Sequence, residues 1–124
     1  MKILFVDDES ANLEISLDYF KMFDYEDVIG IQTPQEAIAY IRENKPDIVF
    51  LDVSLGEDEP MTGVDVLREV SKTTPESKIV MVSAYSQYEP EARALGCYDY
   101  VVKPYLPKKL LEMVKSLELQ RSKT

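Results

Sequence analysis

The chain has 124 residues, the length of about one domain, and a formal net charge of −9. This acidic balance disfavours nucleic acids and anionic membrane surfaces. No apolar stretch approaches membrane-spanning length, so neither nucleic-acid binding nor membrane insertion is expected. The chain contains no histidine and one cysteine, Cys97, which we expect to be a packing residue. These counts exclude Ser-His-Asp catalysis, histidine-based zinc sites and an intrachain disulfide. A cytoplasmic location is expected, because the N-terminal apolar run is too short for a signal peptide.

Five short apolar runs recur along the chain, and most are dense in Val, Ile and Leu without alternating polar residues. They cover residues 2–6, 28–31, 47–51, 78–82 and 99–102. Such runs are typical of strands that are buried on both faces, as in a parallel sheet.

Segments with helical periodicity separate these runs. The apolar positions of the first segment are Leu13, Leu17 and Phe20, which share one helix face. The second segment is predicted to begin at Thr33, with Pro34 at its first position and Glu36 closing a capping box. Gln32 and Thr33, which follow the second strand, are therefore expected to serve only helix capping.

The third helix has a weaker start signal at Thr62, followed by Asp65 three residues later. The fourth helix is predicted over residues 87–95, with Gly96 as its stop, and the fifth begins at Pro107. The apolar positions of the third and fifth helices are Val64, Leu67, Val70, Leu110, Leu111, Val114 and Leu117. Alternating strands and helices predict one α/β domain over residues 1–120, with residues 121–124 as a short polar tail.

Reactive or charged side chains follow four of the five runs. Asp7 and Asp8 follow the first, Asp52 the third, Ser83 the fourth and Lys103 the fifth. Ligands of open α/β sheets bind beyond the carboxyl ends of the strands. Carboxylates that meet there either raise one another's pKa or bind a cation, and Mg²⁺ prefers oxygen ligands. Carboxylates, a metal, a lysine and a hydroxyl together indicate phosphoryl transfer.

The motifs around these residues resemble one family. They are VDDE at 6–9, IVFLDVS at 48–54, VMVSAY at 80–85 and YVVKP at 100–104. In this order, and with 45 residues from Asp7 to Asp52 and 51 from Asp52 to Lys103, the chain is similar to receiver domains of two-component response regulators. The resemblance covers essentially the whole chain. It implies the flavodoxin-like (βα)5 fold with strand order 2-1-3-4-5.

The resemblance also implies a reaction. Asp52 would be the phosphoacceptor and would take a phosphoryl group from a sensor histidine kinase or a histidine phosphotransfer protein. Mg²⁺, with Mn²⁺ as an alternative, would be bound by Asp8 directly, by Asp7 mainly through water, by Asp52 and by the Ser54 backbone carbonyl. Lys103 would pair with the phosphoryl group. The chain would thus catalyse its own phosphorylation and slow dephosphorylation without being an enzyme in the usual sense.

A switch is implied as well. The backbones of Val53, Ser54 and Ala84 would bind the phosphoryl group, and Ser83 would move towards it. Tyr100 would then turn inward and change the face of the fourth helix and fifth strand for a downstream protein partner. The residues alone leave plainer roles open, because Ser83 could cap the following turn and Tyr100 could be a half-buried strand residue.

The stretch after Asp52 departs from the family pattern. Gly63 lies eleven residues past Asp52, about three more than is usual, and residues 57–59 are consecutive acids. The extended acidic loop, residues 56–60, is either a solvated loop tip or a modulator of kinase choice and phosphate lifetime.

Three other functions fit parts of this sequence less well. Phosphohydrolases of the haloacid-dehalogenase type also use an Asp nucleophile, but they place a second Asp two positions later, where this chain has Ser54. A receiver-like interaction module that works without phosphorylation would not need the acidic trio, Ser83 and Lys103. An FMN carrier would need a phosphate-binding loop after the first strand, where Asp7 and Asp8 would repel phosphate.

Overall fold

The computed structural model describes residues 1–54 and 62–122, so the acidic loop at residues 56–60 lies outside the described residues. Within the described ranges, strands and helices alternate five times. The elements are β1 Ile3–Val6, α1 Ser10–Met22, β2 Val28–Ile31, α2 Pro34–Asn44, β3 Ile48–Asp52, α3 Gly63–Thr73, β4 Lys78–Ser83, α4 Glu89–Ala94, β5 Asp99–Val102 and α5 Pro107–Ser122. The strands form one parallel sheet in the order β2-β1-β3-β4-β5. This is the predicted flavodoxin-like fold.

The sheet separates two apolar layers, because successive strand residues point to opposite faces. Leu4, Leu51 and Met81 lie on one face, with buried residues of α2, α3 and α4. Phe5 and Phe50 lie on the other, with buried residues of α1 and α5, and their rings stack with centroids 5.0 Å apart. Both faces of the central strands are therefore covered, which explains why their sequences do not alternate.

Two helices begin at the predicted threonine caps. The Thr33 hydroxyl accepts a hydrogen bond from the Glu36 backbone N–H at the start of α2. At the start of α3, the Thr62 hydroxyl accepts from the Asp65 N–H while the Asp65 carboxylate accepts from the Thr62 N–H at 2.9 Å. The complete capping box thus forms at the site whose sequence signal is the weaker of the two.

The fourth helix is shorter than the predicted range of residues 87–95. A 3₁₀ turn covers Ser86–Tyr88, and the α-helix starts at Glu89. The reason is Pro90, which has no N–H for an α-helical bond to the preceding turn and is tolerated only near a helix start. Gly96 ends the helix as predicted, with a φ of 93°. The Gly96 N–H donates to the Arg93 carbonyl and the Cys97 N–H to the Ala92 carbonyl, which is a Schellman motif.

Helix α5 includes Arg121 and Ser122, which the sequence places in the polar tail. The carboxylate of Asp47 accepts from Arg121 Nη1 at 2.5 Å and from the Lys2 backbone N–H at 2.6 Å, so it binds the last turn of α5 to the start of β1. Burial raises the pKa of Asp47, but these hydrogen bonds outweigh it and hold the pKa below its usual value. Among the described helices, none has the length and apolar character to span a membrane.

Candidate functional site

The carboxyl ends of β1, β3, β4 and β5 meet at one edge of the sheet, where they surround a cavity of about 370 Å³. Within the described part of the chain, its lining residues are Asp8, Glu9, Asp52, Val53, Ser54, Thr62, Ser83, Ala84, Tyr85, Tyr88 and Lys103. The structure thus brings together seven of the residues singled out from the sequence. Asp7 lines two adjoining cavities, the smaller of which it shares with Asp52.

Asp52 is the last residue of β3, and only 6 % of its surface is exposed. Each of its carboxylate oxygens has a hydrogen-bond partner. Oδ2 lies 2.8 Å from Lys103 Nζ, and Oδ1 accepts from the Ser54 backbone N–H at 2.9 Å. Because both oxygens are bonded, the carboxylate is held in one orientation at the base of the cavity. Its pairing with Lys103 offsets the cost of burying its charge.

Gly63 packs directly on the backbone of Asp52. Its N–H donates to the Val53 carbonyl at 2.8 Å. A Cβ at this position would lie 2.1 Å from the Asp52 carbonyl oxygen and 2.8 Å from Val53 Cα. Only glycine allows this approach, so the first residue of α3 sets the position of the end of β3.

Three carboxylates form an acidic cluster next to Lys103. One oxygen from each of Asp7, Asp8 and Asp52 lies within 4.8 Å of the others. Opposite oxygen ligands of a divalent ion are about 4 to 5 Å apart, so the donor set has the chemistry and spread that such an ion requires. Asp7 Oδ1 also accepts the Glu9 N–H at 3.0 Å, which orients it towards the start of α1.

The charges in this cluster alter the proton affinity of its members. Burial raises the pKa of Asp7, and the negative charge of Asp52 raises it further. Partial burial lowers the pKa of Lys103, but its hydrogen bond to Asp52 and the charges of Asp52 and Asp7 outweigh this effect. The pKa of Lys103 therefore lies above its usual value, and the ammonium remains charged at neutral pH.

Ser83 and Tyr100 meet at the backbone of Tyr85. The Ser83 hydroxyl accepts from the Tyr85 N–H at 3.0 Å, and the Tyr100 phenol donates to the Tyr85 carbonyl at 2.5 Å. Ser83 is thus seen in the turn-capping role, and Tyr100 is 7 % exposed, more deeply buried than a half-exposed strand residue. The switch roles of both residues stay a prediction.

Two residues at this edge, Gln32 and Thr62, are not predicted as site residues by the sequence patterns. The Gln32 side chain donates to the Asp8 carbonyl at 3.2 Å, so the residues after β2 do more than cap α2. Thr62 lines the cavity as well as capping α3. Thr62 could have been found from its place before a helix at the carboxyl edge of the sheet, but nothing in the sequence indicates the direction of the Gln32 side chain.

A comparison with protein families matches residues 3–115 to the response regulator receiver domain. The chain belongs to this family. The match includes every strand of the sheet and all residues of the acidic cluster, so it places the cavity of this receiver domain within the family's shared fold.

Individual relatives agree with this assignment. The receiver domain is 31 % identical to the chemotaxis protein CheY of Thermotoga maritima, covering 94 % of this chain and 96 % of that protein. It is similar to the solved response regulator TrrA of Thermotoga maritima in complex with Mg²⁺-BeF, with a TM-score of 0.81, 30 % identity and coverage of 94 % and 99 %. It is 30 % identical to the sensory transduction protein LytT of Bacillus anthracis, over 98 % of this chain but only about half, 48 %, of LytT.

Proposed function

We propose that this receiver domain is a phosphorylation switch that accepts a phosphoryl group on Asp52. The phosphodonor would be a phosphohistidine of a sensor histidine kinase or of a histidine phosphotransfer protein. One observation carries the proposal: a buried carboxylate lies at the base of an open cavity, paired with Lys103 and flanked by two further carboxylates. A carboxylate with only a structural role would not need two like charges within 4.8 Å.

In the proposed reaction, a carboxylate oxygen of Asp52 forms a bond to phosphorus as the P–N bond of the donor breaks. The electron pair of that bond leaves with the imidazole nitrogen, and the product is an acyl phosphate. The Lys103 ammonium lies 2.8 Å from Asp52 Oδ2. It would therefore pair with the phosphoryl oxygens once the negative charge moves onto them from the carboxylate. The same groups would support slow hydrolysis of the acyl phosphate, so the chain would catalyse both its phosphorylation and its dephosphorylation.

The acidic cluster fits a divalent cation, which we propose to be Mg²⁺, with Mn²⁺ as an alternative of similar ligand preference. Asp8 and Asp52 would bind it directly, together with the Ser54 carbonyl, and Asp7 would bind it mainly through water. When bound, such a cation supplies neutralisation of the negative charge that collects at the acceptor. The Mg²⁺-BeF complex of the relative TrrA supports this proposal.

The response to phosphorylation would begin at the backbone N–H groups of Ser54 and Ala84 and at the hydroxyl of Ser83. The Val53 N–H, which the sequence also predicts to bind the phosphoryl group, donates to the Val82 carbonyl at 2.9 Å. A phosphoryl group adds negative charge and strong acceptor oxygens at Asp52. The Ser83 hydroxyl accepts from the Tyr85 N–H and keeps its own proton to donate, so moving it towards the phosphoryl group would lengthen the bond to Tyr85. Because the Tyr85 carbonyl is bound by Tyr100, this change would reach β5 as a shift between two populations.

A downstream protein would read this change on the face of α4 and β5. Tyr98, Val102 and Leu106 expose 38 %, 43 % and 74 % of their surfaces at or next to β5, so apolar contact area is available. We propose that residues 1–120 act as one such signalling unit.

Phosphorylation with acetyl phosphate and Mg²⁺, and with a phosphorylated histidine phosphotransfer protein, tests the proposal. Wild type should acquire one base-labile phosphoryl group, whereas Asp52→Asn should acquire none. Asp18→Asn, which removes an exposed carboxylate on α1, is the matched control and should label like wild type. Labelling that survives Asp52→Asn would refute the acceptor assignment. Failure of wild type to label beside an active receiver would instead favour a phosphorylation-independent interaction module.

A further inference from the structure

One side chain connects α3 to α4. Arg68 of α3 donates through Nη1 to Asp65 at 2.9 Å and through Nη2 to Glu91 of α4 at 2.8 Å. Among the described residues, the pair between Arg68 and Glu91 is the ion pair that joins α3 to α4. The guanidinium has two separate donor edges, so it binds both carboxylates at once, which a lysine could not do with the same geometry.

The first of these carboxylates belongs to the start of α3. Asp65 accepts the Thr62 N–H in the capping box, and the backbone hydrogen bond to Thr62 lowers the pKa of Asp65 below its usual value. Gly63 follows Thr62 and lies against the backbone of Asp52. The contacts therefore run without interruption from the backbone of the phosphoacceptor to the guanidinium of Arg68.

The second carboxylate belongs to a short helix with little buried surface of its own. Helix α4 has six residues, of which Ala92 is buried. Pro90 provides no N–H, and the 3₁₀ turn before α4 contains no buried residue. A second ion pair, between Arg93 and Asp99 at 3.1 Å, joins α4 to β5. The pair between Arg68 and Glu91 is therefore the charged contact that holds α4 on its α3 side.

We propose that Arg68 is a strap that holds α4 against the cap of α3, and that it couples the position of α4 to the phosphoacceptor Asp52. This inference rests on the proposed function, because the coupling matters only if phosphorylation moves α4. The strap is closed in the arrangement in which the Ser83 hydroxyl accepts from the Tyr85 N–H and the Tyr100 phenol donates to the Tyr85 carbonyl. It therefore favours that arrangement, and moving α4 away from α3 requires that the bond to Glu91 be broken. By linkage, the factor by which the strap favours the observed position of α4 is also the factor by which it weakens binding of any Asp52 ligand that favours the moved position.

The expected size of the effect follows from exposure. The side chains of Arg68 and Glu91 are 39 % and 54 % exposed, so water and salt screen their attraction. Pairs of this kind change an equilibrium by about two- to five-fold.

Glu91→Gln tests the strap, because it removes the charge on α4 and leaves Arg68, Asp65 and the capping box in place. Hydrogen exchange of the amides at residues 93–97 should become about two- to five-fold faster, and about 0.5 M NaCl should reduce this difference. Glu69→Gln is the matched control, because Glu69 pairs with Arg42 between α2 and α3 at similar exposure. That control should leave the exchange of residues 93–97 unchanged. Equal exchange in wild type and Glu91→Gln would overturn the strap.

A titration with beryllofluoride and Mg²⁺, followed by NMR, tests the coupling. The midpoint for Glu91→Gln should fall about two- to five-fold below that of wild type, while Glu69→Gln should match wild type. Faster exchange with an unchanged midpoint would show that α4 does not move with the site, which would overturn the coupling. A wild-type protein that gives no response to beryllofluoride would contradict the proposed function instead, while the exchange measurement would still decide on the strap.

Discussion

Replacing Gly63 by alanine would displace Asp52, the proposed phosphoacceptor. The new Cβ would lie 2.1 Å from the Asp52 carbonyl oxygen, whereas such contacts essentially never fall below 3.0 Å. The backbone of Asp52 or the start of α3 must therefore move by about 0.9 Å or more, because the atoms that clash are backbone and cannot rotate away. A displacement of about 1 Å at a reacting group reduces its rate by up to about 100-fold.

The same substitution should also change the free energy of unfolding, which can be measured independently of phosphorylation. Helix propensity alone would make Gly63→Ala stabilising by up to about 1 kcal/mol, because alanine is the better helix former. The steric clash opposes this and should lower the free energy of unfolding by about 1–3 kcal/mol.

Acetyl phosphate labelling and urea unfolding would measure the two effects, with Gly30 and Gly96 as controls. At Gly30, a Cβ meets only leucine side chains at 3.3 Å, and Gly30→Ala should label at the wild-type rate. At Gly96, a Cβ meets nothing within 4 Å, but the φ of 93° disfavours alanine by about 1 kcal/mol without affecting the site. A Gly63→Ala protein that labels as fast as wild type would refute the reasoning.

Two further substitutions test the contact between Asp47 and Arg121 and the contact between Tyr100 and Tyr85. Asp47→Asn should lower the free energy of unfolding by about 1–2 kcal/mol at pH 7, because it removes the charge that binds Arg121. Since the pKa of Asp47 is lowered in the folded state, this contribution is complete at neutral pH and disappears as the pH falls below about 4; a difference from wild type that is constant from pH 7 to about pH 3 would contradict this account. Tyr100→Phe should cost about 1 kcal/mol in urea unfolding and should speed hydrogen exchange around Tyr85, because it removes the phenol bond to the Tyr85 carbonyl. Unchanged stability and unchanged exchange together would show that this bond contributes nothing.

Much of the fold could be predicted because both faces of the central strands are buried. Residues 48–51 are apolar throughout, and Asp52 is the first polar residue after them, so the end of the strand and the site residue are marked together. The helix starts at Thr33 and Thr62 were readable for a similar reason, because capping depends on residues only three positions apart. The start of α4 was also readable in principle, since Pro90 forbids the longer helix.

Contacts between distant elements could not be predicted in the same way. The Gln32 amide binds the Asp8 carbonyl, and the Ser83 hydroxyl binds the Tyr85 N–H, because of side-chain rotamers that depend on the packed neighbours. The close approach of Gly63 to Asp52 likewise depends on where α3 docks. Sequence spacing indicates that these residues share an edge of the sheet, but it does not determine which atoms meet.

The hydrogen bond between Gly63 and Val53 makes the position of Asp52 independent of how many residues follow it before α3. Residues 54–62 lie between these two positions, nine in all, about three more than the family pattern has. The backbone hydrogen bond between Gly63 and Val53 fixes the distance that this stretch must span. For a flexible connection between two fixed ends, lengthening from six to nine residues costs about 0.4 kcal/mol of closure entropy. The chain can therefore gain or lose residues after Asp52, and change the charge that follows it, while the carboxylate keeps its place.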